Sequence, residues 1–211
     1  MRLDRMRLLA AALAAALTAA CGGRQYSSGG EVVGGAVARA DMDRLVAGWA
    51  PASREAAAAM ADKYGPPAEQ TASMLVWHAT GPWKRTVIYR EEVPHAFPKP
   101  HTDVMEQFID YRAPTDKFDE LAEYDGSVIV ERTKGELSAR CDKEPMNFLA
   151  LNLANDIVAG RRTVAEARAE YARQATAFMS GQPAPYTEGL EFAVAKGGTA
   201  DADSPATPGR P

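Results

Sequence analysis

At Met74 the apolar residues of this chain stop recurring every three or four positions and begin to alternate, which confines it to folds that set helices against a sheet. Before that point, Asp41 reads as the cap of a short helix carrying Met42, Leu45, Val46 and Trp49. Ser53 reads as the cap of a second, with Ala56, Met60 and Tyr64 on one stripe and Gly65 as its stop. After it, Leu75 and Trp77 share one strand face, and a Gly81-Pro82 turn leads back through Trp83, Val87 and Tyr89. Glu91 to His101 contains Pro94, Pro98 and Pro100 and is expected to be an extended loop, followed by a Met105–Tyr111 strand, although a helix also fits there.

Thr115 to Tyr124 is expected as a short helix. Ser127–Arg132 and Glu136–Cys141 are expected as two arms of a hairpin around Lys134-Gly135. Asp142 is placed to cap a helix striped by Met146, Leu149, Leu153 and Ile157. Thr163 and Glu166 form a capping-box pattern for the next helix, which carries Val164, Tyr171, Ala175 and Phe178. Leu190, Phe192 and Val194 alternate, as a last edge strand would. The expected fold is α+β: an antiparallel sheet of about four to six strands with helices on one face and a helical C-terminal third.

Residues 1–20 set Arg2, Arg5 and Arg7 ahead of an Ala/Leu run that is too short to span a bilayer, with Thr18, Ala19 and Ala20 directly before Cys21. This arrangement resembles a bacterial lipoprotein signal peptide, with Thr18 where the pattern prefers Leu. The resemblance implies cleavage before Cys21, acylation of that cysteine with palmitate-class chains, and a stable hold on a lipid bilayer. Gly22 after the cysteine implies the outer membrane, facing the periplasm, in a double-membraned cell. Simple secretion is the alternative.

Losing the leader removes three arginines and one aspartate, which takes the balance of 24 basic and 28 acidic residues to 21 and 27. An acidic chain of this kind argues against nucleic acid as a partner. Gly- and Ser-rich residues 21–40 read as a flexible tether, 41–194 as one domain, and Gly-, Pro- and Ala-rich 195–211 as a disordered tail. With Cys21 acylated, Cys141 is left without a partner, so the fold rests on its core rather than on a disulfide.

No phosphate-binding loop, dinucleotide fingerprint, serine elbow, His-Glu-x-x-His or Cys-x-x-Cys motif occurs, and no cofactor is expected. The strongest constellation is Glu91, Glu92, His95, His101 and Asp103. Of these, His95, His101 and Asp103 are the candidate metal ligands, since imidazole and carboxylate suit zinc and similar ions. The competing reading is a stiff loop of solvated polar groups. Cys141, beside Arg140 and Asp142, is either a reactive thiol or a small core residue. Asn147, Asn152, Asn155 and Asp156 either line a polar pocket or form the wet side of a helix. Trp77, Trp83, Arg85 and Arg90 are candidates for a binding surface, with sheet core as the alternative for the aromatics.

Lys63-Tyr64-Gly65, Val76-Trp77-His78, Gly81-Pro82-Trp83-Lys84-Arg85, Tyr89 to His95, Tyr124 to Val128 and Ala139 to Asp142 together resemble a family of exported bacterial proteins with no assigned function. The helix, Gly-x-Pro and aromatic hairpin of the first half also resemble the small lipoproteins of the outer-membrane barrel assembly machinery. The anchor, the tether, the acidic balance and the lack of catalytic motifs point to a membrane-anchored, non-catalytic binding or assembly module with a protein partner in the envelope. The alternative is a periplasmic, metal-assisted enzyme working through His95 and His101. Convergence of the two histidines and a carboxylate in a concave site would separate these readings.

Overall fold

The computed structural model describes residues 37–207; the expectations for the leader, for Cys21 and for most of the tether lie outside these. Two helices, α1 (Arg39–Val46) and α2 (Pro51–Tyr64), precede four strands, β1 (Glu69–Gln70), β2 (Met74–Thr80), β3 (Trp83–His95) and β4 (His101–Asp110). Helix α3 (Phe118–Tyr124) and strands β5 (Val128–Glu131) and β6 (Glu136–Cys141) follow. Then come α4 (Glu144–Val158) and α5 (Val164–Met179). The strands form one antiparallel six-stranded sheet in the order β1-β2-β3-β4-β6-β5. The fold is therefore α+β with a helical C-terminal third. Among the described residues no helix is long and apolar enough to cross a membrane.

Register decides which side chains meet the helices. Leu75 pairs Ile88, Ile88 pairs Met105, and Met105 pairs Cys141; one row on, Trp77, Thr86, Gln107 and Ala139 are aligned. With a side-chain period of two, all of these point to one face. There Met42, Ala57 and Met60 of α1 and α2 cover the β2–β3 side, while Leu149, Leu153 and Ile157 of α4 cover the β4–β6 side. Asn147 bridges the layers, its amide donating to Gln107 Oε1 at 3.0 Å, and Gln107 donates to Thr86 at 3.2 Å. The opposite face is held by polar contacts: Glu106 accepts from Tyr89 and Ser138, and Arg85 stacks on Phe108 and pairs with Glu136.

Several local expectations are corrected. Helix α1 starts two residues before Asp41. Ser53 is no cap but lies fully buried inside α2, its hydroxyl donating to the Tyr89 carbonyl at 2.8 Å. The cap position of α4 is Lys143, not Asp142. The capping box of Thr163 and Glu166 forms as expected. The supposed loop from Glu91 to His101 is instead the end of a hairpin, because β3 runs to His95, β4 begins at His101, and Val93, Pro94 and His95 pair with Asp103, Thr102 and His101. Leu190–Val194 forms no strand, and only Ala195 bridges to Asp110.

The boundary drawn at residue 195 also shifts. Thr199 donates to the Gly135 carbonyl at 2.8 Å, and the Asp201 amide donates to the Arg132 carbonyl at 3.1 Å, so this segment straps the β5–β6 turn.

Candidate metal centre

Beyond Tyr89, β3 has no β2 partner. After an irregularity between Ile88 and Val93 it continues with β4 alone. In this two-stranded ribbon His95 pairs directly with His101, and Val93 with Asp103. Residues 101 and 103 share a face, and cross-strand partners share one too, so both imidazoles and the carboxylate are delivered to the same side. The ligand atoms that these three residues offer all lie within 4.8 Å of one another. His95 and His101 are mostly covered, and Asp103 is buried.

His101 and Asp103 each have an outer partner that fixes them. His101 Nδ1 donates to the Lys99 carbonyl at 2.9 Å, which leaves Nε2 as the free nitrogen, 3.1 Å from Asp103 Oδ1. Asp103 Oδ2 accepts from the Ser127 hydroxyl. The His95 ring lies between carboxylates, Nδ1 3.4 Å from Asp103 Oδ2 and Nε2 3.6 Å from Asp125 Oδ1. Asp125 is itself held by the Ser127 backbone amide at 2.8 Å. An imidazole anchored through its second nitrogen, as His101 is, and a carboxylate anchored through its second oxygen are usual surroundings of a metal ion.

One inner atom is not satisfied by the protein. Asp103 Oδ1 is buried with no well-directed donor, because the nearby His101 nitrogen lies off the hydrogen-bonding direction. A neutral His101 would set a lone pair against a carboxylate oxygen, so a positive charge is required between them. A proton or a metal ion can supply it. This is why Asp103, and after it Cys141, lift the imidazole pKa to about 11. Burial pushes Asp103 up, but His101, Ser127 and His95 together hold it below the usual carboxylate range. His101 faces Oδ1 of Asp103 at 3.1 Å and His95 faces Oδ2 at 3.4 Å, so the carboxylate lies between the two imidazoles with one oxygen toward each.

Cys141 Sγ lies 3.5 Å from His101 Nε2 and is buried, which raises its thiol pKa. It lines a cleft of about 270 Å³ together with His101.

Other candidates fall elsewhere. Glu91 and Glu92 are exposed at the irregular part of β3 and take no part in the cluster. Trp77 and Trp83 are core residues. Trp83 stacks on Phe148 at 4.8 Å and donates to Glu144, so no aromatic surface exists there. Arg85 is tied to Glu136 and Phe108, and Arg90 is exposed. Asn147, Asn152 and Asp156 are buried rather than wet: Asn152 holds the 186–191 segment, and Asp156 holds Arg161 and Arg162. Asp125 and Ser127 had no sequence signal beyond an Asp-Gly turn, since nothing in their spacing ties them to His95. No family model matches the chain, and no curated protein or solved structure matches it either.

Proposed function

We propose that this chain is an exported, membrane-tethered domain that holds a divalent transition-metal ion, zinc by its ligand chemistry, at His95, His101 and Asp103. The observation that carries this reading is the convergence of two imidazoles on the buried Asp103 carboxylate, whose Oδ1 has no hydrogen-bond donor beside an outwardly anchored His101. A three-ligand set in which one ligand, His101, also lines a cleft suits zinc sites that act on or carry a small molecule, whereas purely structural sites close the fourth position. The address rests on the leader and on Cys21, which support acylation and an outer-membrane location facing the periplasm. A partner-binding envelope module keeps that tether as its support, but the aromatic face that suggested docking is core.

The test is metal analysis and zinc titration of the full chain with a thermal-unfolding readout. Saturation at about 100 times Kd should add about 2.7 kcal/mol of stability, and His95→Ala and His101→Ala should each abolish the gain. A flat response in the parent chain would leave the cluster as a proton-bridged ion pair.

A further inference from the structure

The cleft next to the cluster has a composition that selects its occupant. Met146, Tyr171, Phe178 and Met179, from α4 and α5, make an apolar wall, and His101 and Cys141 line the cleft with them. Two lysines also line it: Lys99, which is exposed and has no carboxylate paired with it among the described residues, and Lys143, paired with Asp142 at 2.7 Å. About 270 Å³ lies just below the usual 300–1,000 Å³ range of ligand pockets and suits a small molecule rather than a chain segment.

Resting on the metal reading above, we infer that the cleft takes a small carboxylate with an apolar body. The body lies against Tyr171 and Phe178. The carboxylate reaches inward past His101 to the position on the ion that the three protein ligands leave open. Cys141 does not fill that position, because it lies outside the group of ligand atoms that converge within 4.8 Å. A neutral ligand of equal shape would gain the apolar contact but not the ion or the lysine. The binding therefore discriminates by charge as well as by shape.

The experiment loads the full chain with cobalt(II), whose visible absorption reports its coordination, and titrates 3-phenylpropionate against 3-phenylpropanol. The expected result is saturable binding of the carboxylate with a change in the cobalt spectrum and much weaker binding of the alcohol. Lys99→Glu, at an exposed position where the fold is not at risk, should weaken the carboxylate by about three- to tenfold. Ala175→Leu, which narrows the cleft, should abolish it. Equal binding of the two compounds, binding that leaves the cobalt spectrum unchanged, or no binding to cobalt-loaded protein would overturn this inference alone. Failure of cobalt itself to bind would overturn the metal reading together with it.

Discussion

His95 and His101 are directly opposed across the β3–β4 ribbon, with ring centroids 4.9 Å apart, so one stretch of antiparallel pairing sets the spacing of both imidazoles. Asp125 stands behind His95 and is the outer partner easiest to alter without removing a ligand. Asp125→Asn should weaken zinc binding by about 10–100-fold while the fold persists. Competition against a chromogenic chelator measures this, and unchanged affinity would remove Asp125 from the site.

Glu144 supplies the pH prediction. It accepts from Lys63 at 2.5 Å, Tyr64 at 2.7 Å and Trp83 at 2.6 Å. Burial alone would raise its pKa, yet these donors hold it below the ordinary glutamate value. A group whose folded pKa is depressed contributes stability above its unfolded pKa, near 4.3 for Glu, and loses it as pH falls through the folded value. Urea unfolding should therefore show stability falling below about pH 4.3. Glu144→Gln should be less stable by about 1.5–3 kcal/mol at pH 7 and should flatten that part of the profile. A variant with the parent's slope would show that other carboxylates carry the acid response.

The Asn147–Gln107–Thr86 ladder is buried between α4 and the sheet. Asn147→Ala strands the Gln107 oxygen and should cost about 1–3 kcal/mol. The double variant with Gln107→Ala should cost less than the two single changes summed, with a coupling of about 0.5–3 kcal/mol. Simple additivity in chemical denaturation would mean that the ladder is three independent groups.

Gly135 and Gly160 give a paired test of the C-terminal strap. Both have positive φ, 66° and 68°, but a Cβ on Gly135 would lie 2.2 Å from the Thr199 carbonyl carbon, while one on Gly160 meets nothing within 4 Å. Each alanine pays about 1–2 kcal/mol for the left-handed backbone. Only Gly135→Ala should also expel residues 199–203, seen as faster proteolysis there. Equal behaviour of the two variants would mean that the strap contributes nothing at this turn.

How far the sequence reveals this molecule depends on how local the signal is. The change of period at Met74 and the Thr163–Glu166 capping box act within a few residues, and both appear in the fold. The β3–β4 ribbon was obscured by Pro94, which reads as a loop residue but is tolerated where β3 has lost its β2 neighbour and has a free edge. The proximity of His95, His101 and Asp103 was legible because the ribbon joins residues close in sequence. Asp125 and Ser127 were not, since α3 intervenes and only tertiary packing brings them to His95. The buried asparagines of α4 were misread because their partners, the β4 backbone and the 186–191 segment, are remote in sequence.

The sheet places its two shortest strands, β1 of two residues and β5 of four, at its two edges, with the long strands β3 and β4 in the middle. Unpaired strand edges are where separate chains recruit one another into aggregates. Strands this short offer an incoming chain only a few backbone groups, so the sheet can be crowded against its own copies with little opportunity for them to zip together.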